Sequence, residues 1–163
     1  MNGPLPSARV FISDIPSLPF DTKIRFLGCV KTYHISSGHL ILEHNYPRAK
    51  KKPQSAQPQK QDPPSIVVDI NAILESVTWE QLCVGAWVTV LGYVRRRTPG
   101  AAATAAAWAH GEARESSSTF TSSPFDSVSV DAVVVLPAGA VELGEYERIL
   151  YDSQELERMR RPV

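Results

Sequence analysis

The chain has 163 residues, with 17 lysines and arginines against 17 aspartates and glutamates. This length predicts one domain with room for unstructured insertions, and the even charge balance gives no overall basic field that would attract nucleic acid. No apolar run approaches the ~18 residues of a membrane span, which excludes a helical membrane protein.

The first predicted strand runs over residues 23–35, where apolar and polar residues alternate. Its core face holds Ile24, Phe26, Val30 and Thr32. Its polar face holds Lys23, Arg25, Lys31 and Tyr33. Gly28 interrupts the pattern, which indicates a bulge or a bend. Turn residues at 36–38 and the sequence HLILEH predict a second strand that pairs with the first as a hairpin.

The remaining elements follow in chain order. Residues 65–70 predict a third strand, and residues 71–82 predict a helix with Asn71 as its N-cap. Residues 85–95 and 128–136 predict the fourth and fifth strands, and the fourth contains a second interrupting glycine, Gly92. Residues 141–161 predict a charged amphipathic helix that is kinked near Asp152 and Ser153.

Two segments have too few apolar residues to form a core. Residues 46–64 are rich in proline and glutamine, and residues 98–127 contain alanine, serine and threonine tracts. Because neither can bury enough apolar surface to offset the entropy of ordering, we expect both to be poorly ordered inserts in a single domain spanning residues 1–163.

The order β-β-β-α-β-β is typical of the oligonucleotide/oligosaccharide-binding (OB) fold, a five-stranded Greek-key barrel with a helix between strands 3 and 4. Bends at Gly28 and Gly92 fit a small closed barrel better than a flat sandwich. Gly92 also fits a place where two chain segments pack closely. The second insert joins strands 4 and 5, a loop that this fold often uses for ligands.

No catalytic signature is present. The sequence lacks phosphate-binding, nucleophile-elbow and zinc-protease motifs, so we expect neither an enzyme nor a cofactor. His34, His39 and His44 are spaced by five residues on a hairpin, which does not aim three rings at one ion, so we expect surface histidines and no metal. Cys29 and Cys83 lie among apolar neighbours, so we expect reduced thiols in the core. Prolines and acids interrupt the N-terminal segment where a signal peptide would be apolar, so we expect a cytosolic or nuclear protein.

A basic and aromatic set favours contact with single-stranded nucleic acid. Arg48 and Lys50–Lys52 lie in the first insert, and the run Arg95, Arg96 and Arg97 ends the fourth strand. A cationic rim can follow a phosphate backbone, and aromatic rings can stack on bases. The strand residues that would join this surface are Lys23, Lys31, Tyr33 and Tyr93. Solvated charges and ordinary packing explain the same residues, so both interpretations stay open.

The last helix carries an apolar stripe. Its members are Leu143, Tyr146, Ile149 and Leu150, continued by Leu156 and Met159. Because the stripe is longer than one end of a small barrel can cover, part of it is expected to face a protein partner.

Three stretches together resemble the Ten family, the smallest subunit of the CST telomere-capping complex, in a fungal form. They are KIRFLGCVKTYHISSGHLILEH, GAWVTVLGYVR and VVVLPAGAVELGEYERIL, and FISDIPSLP near the N-terminus is similar to the same family. The resemblance implies an OB barrel that forms a heterodimer with an Stn-family subunit and, through it, joins the large CST subunit. It also implies a nuclear, telomeric location, protection of chromosome ends, support for lagging-strand fill-in and a weak or shared contact with single-stranded telomeric DNA.

The resemblance further implies partner-binding residues. Arg25 and Arg160 match basic interface positions of the family, and Tyr146, Ile149 and Leu150 match its apolar helix face. Leu156 falls where the family has an aromatic residue, so it departs from the pattern. Two alternatives remain: a stand-alone OB protein that reads single-stranded RNA or DNA, and a small structural subunit of replication protein A.

Overall fold

The computed structural model describes residue 3 and residues 6–47, 62–97 and 127–160, and these residues form six strands and two α-helices. The strands are β1 (Ala8–Arg9), β2 (Lys23–His34), β3 (His39–Glu43), β4 (Ser65–Asp69), β5 (Trp87–Arg96) and β6 (Val128–Pro137). The helices are α1 (Trp79–Leu82) and α2 (Leu143–Arg160). Two 3₁₀ helices cover Ile12–Ser17 and Asn71–Ser76.

Five of the strands close into a barrel. The order around it is β2-β3-β4-β6-β5, and β5 pairs again with β2. Every pairing is antiparallel except that of β4 with β6. The short β1, which the sequence pattern did not reveal, adds a parallel strand to β2. The predicted OB fold is therefore confirmed.

β2 is shared by both halves of the barrel. Residues 23–29 pair with β5, and residues 29–34 pair with β3. Gly28 stands just before this change of partner. A Cβ atom there would lie 2.9 Å from Cβ of Leu42 and 3.2 Å from Cδ1 of Ile12, so no side chain fits without moving the core.

Gly92 marks a β-bulge between β5 and β6. The register shifts between Leu91 and Gly92, and a Cβ atom on Gly92 would collide with the backbone carbonyl oxygen of Asp131. The bend and the close packing predicted for this glycine therefore occur together.

The core lies inside the barrel and contains the alternate residues of all five strands, with Phe26, Ile24, Val68 and Val90 fully buried. A bulge between Val30 and Thr32 changes which face each following residue of β2 occupies. Tyr33 therefore lies opposite Leu40 and packs against the core, so its predicted place on the polar face is wrong. A shift of one residue reverses every later side chain of a strand.

The crossover from β4 to β5 is less regular than predicted. It forms a 3₁₀ helix followed by the four-residue α1. Of its partly buried apolar residues, Ile73, Val77, Leu82 and Ala86 pack on the core, while Leu74 is exposed. Asn71 does not cap a helix; its side-chain amide donates to the Ser37 carbonyl oxygen (2.8 Å) and to Oδ1 of Asp69 (2.8 Å).

The last helix, the two cysteines and the two inserts were also subjects of prediction. α2 continues through Asp152 and Ser153 without a break. Both cysteines are free, but Cys83 is exposed and Cys29 only half-buried, so neither is a fully buried core thiol. Of the two inserts, residues 48–61 and 98–126 lie outside the described residues. Tyr46, at the edge of the first, stacks on Phe11 with ring centroids 4.3 Å apart.

Candidate partner-binding surface

One side of α2 is fixed to the barrel. Leu143, Glu147, Leu150 and Gln154 recur at helical spacing and turn the same side of α2 inward. Glu147 and Leu150 are buried. Oε1 of Glu147 lies 2.9 Å from Nε2 of His44, just after β3, and Gln154 donates to a carboxylate oxygen of Asp14 (3.0 Å).

His44 is a buried residue, which corrects its prediction as a surface histidine. It is 3% exposed, with the Trp87 ring edge-on at 5.4 Å. Its Nδ1 has no hydrogen-bond partner among the described residues. Because a charged ring would bury an unsatisfied N–H there, we assign the neutral tautomer in which Nε2–H donates to Glu147.

Tyr146 connects α2 to the outer face of β2. Burial raises the pKa of its phenol, against the opposing effects of Arg9, a hydrogen bond with the Leu27 backbone, and Arg25. The aromatic ring of α2 and the cation of β2, both predicted to bind a partner, are therefore neighbours. Arg25 is exposed, and among the described residues it has no ion-pair partner.

On the opposite side of α2, apolar side chains are exposed to solvent. Ile149 is 49% exposed and Leu156 is 63% exposed. Residues seven and eleven positions apart return to the same side of an α-helix, so Ile149, Leu156 and Arg160 form one stripe. Three of the predicted partner residues therefore share one surface. We call it the α2 outer stripe.

Leu150 does not belong to this stripe. It is 4% exposed and lies among the barrel-facing residues of α2, so it is not available to a partner in this conformation. The sequence pattern grouped it with Ile149 because adjacent apolar residues on a helix do not reveal which one faces the core.

The outer sheet face beside Arg25 is also apolar, which the sequence analysis missed. Arg25 pairs with Leu91, and Leu91 pairs with Val134. Val133 and Leu136 are 45% and 54% exposed. The unbroken run VVVL at 133–136 was the available signal, since a strand with one solvated face usually alternates.

The basic residues predicted to bind nucleic acid are largely matched by acids or rings. Nε of Arg95 donates to Asp131 at 2.9 Å, and the same guanidinium pairs with Asp21. The Arg96 guanidinium lies 4.8 Å from the Phe20 ring centroid. The Lys31 ammonium lies 3.7 Å from a Glu43 carboxylate oxygen.

Tyr33 and Tyr93 do not form one stacking platform. Tyr93 pairs with Lys23, and Tyr33 lies ten residues farther along β2, about 33 Å of extended strand. Tyr93 instead has the Arg95 guanidinium 5.8 Å from its ring centroid.

The backbone N–H of Arg97 donates to the Ser127 carbonyl oxygen at 2.9 Å. The basic residues Arg48 and Lys50–Lys52 lie outside the described residues.

The described part of the chain holds neither a metal-binding cluster nor a membrane-spanning helix. It contains no group of three or more His, Cys, Asp or Glu side chains placed to hold a metal ion. None of its helices is both long and apolar enough to cross a bilayer.

Comparison with known proteins gives one match to a family model, and it spans residues 1–151. The model is Ten1, described as "Telomere capping, CST complex subunit". This chain belongs to the Ten1 family. As a Ten1 protein it is a telomere-capping subunit of the CST complex, and the predicted family is confirmed. Leu156 and Arg160 lie beyond the matched residues.

Two solved structures from S. pombe share the fold. A chain of the Stn1-ten1 complex is 20% identical, with a TM-score of 0.56, and the alignment covers 94% of this Ten1 chain and 96% of that one. The telomere capping protein Ten1 is 19% identical, with a TM-score of 0.54, and the alignment covers 92% and 99%. No curated protein matches the sequence.

Proposed function

We propose that this Ten1 chain acts by binding an Stn1-type subunit through the α2 outer stripe and the neighbouring surface around Arg25. The observation that carries the proposal is the pair Ile149 and Leu156, exposed on the side of α2 opposite its barrel contacts. Apolar residues in register on a solvated helix face are typical of helix-mediated docking. The fold shared with the Stn1-ten1 structure supports the same partner.

Arg25 is proposed to pair with a carboxylate of this partner. It lies near Tyr146 at the edge of the stripe, and among the described residues it has no ion-pair partner. A cation desolvated at an interface needs an opposite charge there, and loss of one member leaves the other buried and unpaired. Arg25→Ala is therefore expected to weaken the complex more than Arg25→Lys.

Replacing the outer stripe with charge tests the proposal. We expect Ile149→Asp and Leu156→Asp each to weaken binding of the recombinant Stn1-type subunit at least 100-fold, about 2.7 kcal/mol, because each buries a carboxylate in an apolar contact. Isothermal titration calorimetry measures the affinity. Circular dichroism checks that the isolated chain stays folded.

Val84→Asp is the matched control, since Val84 is 75% exposed and lies at the crossover outside α2. It should leave the affinity unchanged. If both stripe variants bind as tightly as the unmodified chain, the proposed interface is refuted.

We infer a non-catalytic, nuclear role at chromosome ends from the family, with DNA contacted mainly through the assembled complex. The supporting observation is that Asp21 and Asp131 pair with Arg95, which leaves less positive charge for phosphates. The isolated chain is expected to bind single-stranded DNA no tighter than a nonspecific Kd of about 10⁻⁴ to 10⁻⁶ M at physiological salt. Tight, steeply salt-dependent binding by the chain alone would favour a stand-alone nucleic-acid reader.

A further inference from the structure

A cavity of about 420 Å³ lies where the first turns of α2 meet the outer face of the barrel. Its floor is a row of three residues in register across three strands: Glu43 on β3, Cys29 on β2 and Trp87 on β5. Glu147 of α2 forms part of its wall. This cavity adjoins the barrel-facing side of α2, whereas the outer stripe is on the other side.

The floor is shaped like a notch. Neighbouring strands are about 4.8 Å apart, so the backbones carrying Glu43 and Trp87 are separated by about 10 Å. The short side chain of Cys29 stands between a long acid and a large aromatic ring. The notch therefore fits a flat group that contacts an indole on one side and a carboxylate on the other.

The polar groups of the cavity are mainly acceptors. Glu43 and Glu147 contribute carboxylates, and among the described residues that line the cavity there is no lysine or arginine. Burial and, secondarily, the charge of Glu43 raise the pKa of the Cys29 thiol, so the thiol stays neutral. His44 also lines the cavity, and its buried Nδ1 has no partner among the described residues.

The acceptors are only partly used within the chain. Glu147 accepts from His44, and the pair between Lys31 and Glu43 is loose at 3.7 Å, with the lysine side chain 47% exposed. Exposed pairs of this kind contribute about 0–1 kcal/mol, so a better-placed cation can replace Lys31.

We propose that this cavity receives an arginine side chain of the Stn1-type partner. A guanidinium has five donors and no acceptor, binds carboxylates in a flat fork, and stacks on indole rings. Lysine offers no flat surface, and the two carboxylates repel a nucleic-acid phosphate. The identity of the partner rests on the proposed function above, whereas the preference for arginine rests on the cavity alone.

The cavity is tested first without the partner. The full chain is titrated with N-acetyl-arginine methylamide, and the indole N–H resonance of Trp87, assigned with Trp87→Phe, is followed by NMR. We expect a saturating shift, at least tenfold weaker binding of the neutral citrulline analogue, and at least threefold weaker arginine binding in Glu43→Gln. Glu142→Gln, an exposed acid outside the cavity, should match the unmodified chain. Equal binding of arginine and citrulline analogues would overturn the cavity assignment.

The partner is tested separately. Glu43→Gln should weaken the complex with the Stn1-type subunit about 3- to 10-fold, and an unchanged affinity would overturn the partner as the source of the arginine. Arginine binding that appears only after Lys50, Lys51 and Lys52 are changed to serine would assign the cavity to this chain's own insert and overturn the same claim. Ile149→Asp should leave analogue binding intact, so failure of the outer-stripe interface is distinguishable from failure of the cavity.

Discussion

The hydrogen bond between His44 and Glu147 is expected to stabilise the docked position of α2. Glu147→Ala removes the acceptor of a buried N–H, and Nδ1 of the same ring already has no partner among the described residues. The imidazole would then be buried with neither nitrogen bonded. Leaving a buried polar group unsatisfied costs about 1–3 kcal/mol, and a hydrogen bond to a charged group contributes about 1.5–3 kcal/mol. We expect a loss of about 2–4 kcal/mol in the free energy of unfolding.

Urea denaturation followed by far-ultraviolet circular dichroism measures this loss, and thermal unfolding should show a decrease in Tm of roughly 8–16 °C. Glu145→Ala is the control, because Glu145 is exposed and its pair with Arg148 is loose at 3.8 Å. It should change stability by no more than about 0.5 kcal/mol. If Glu147→Ala and Glu145→Ala are equally stable, the buried pair does not anchor α2.

The combined variant His44→Phe and Glu147→Leu separates the pair from the packing around it. Replacing both polar partners with apolar groups of similar shape is often nearly neutral, so the double variant should be more stable than Glu147→Ala alone. If the losses of stability from the two single substitutions simply add in the double variant, side-chain shape and not the hydrogen bond decides stability here.

Three further predictions concern backbone packing and ionisation. Gly92→Ala should unfold the barrel or cost more than about 3 kcal/mol in urea denaturation, because its methyl group meets the Asp131 carbonyl oxygen; wild-type stability would contradict the bulge geometry. Gly144→Ala, with open space around the new methyl group, should raise the free energy of unfolding by up to about 1 kcal/mol in the same assay. The pKa of Tyr146 is raised above its ordinary value of 10.0, so the folded state holds this proton longer and stability should fall as pH rises through and above about 10. Tyr146→Phe should be less stable at pH 7, because it loses the hydrogen bond with the Leu27 backbone. Its Tm should decrease less than that of the unmodified chain between roughly pH 9 and 11. An equal decrease in Tm over this range would contradict a buried phenol.

The barrel was predictable because its strands bury one face each and its interruptions are glycines. Alternation located β2, and runs rich in β-forming residues located the other four barrel strands. Gly28 and Gly92 indicated where strands bend or pack closely. β1 was not predictable, since two residues carry no period. The face of Tyr33 was also out of reach, because a single extra residue between Val30 and Thr32 reverses the pattern and leaves no mark in composition.

The candidate site was only partly predictable for a related reason. The α2 stripe is visible in sequence, but which of two adjacent apolar residues faces the barrel depends on the angle at which α2 docks. That angle is set by contacts distant in sequence, from His44 to Glu147 and from Asp14 to Gln154. The cavity row of Glu43, Cys29 and Trp87 depends on register across three strands, which a single sequence does not specify.

Because β2 pairs with both β3 and β5, it links the unfolding of the two halves of the barrel. Neither β3 nor β5 can detach without exposing part of the same strand, so no half of the barrel keeps a complete sheet when the other is lost. Unfolding should therefore be a single cooperative event. Amide hydrogens of β3 and β5 should exchange with solvent at similar free energies of opening, even though the two strands never touch each other in the sheet order.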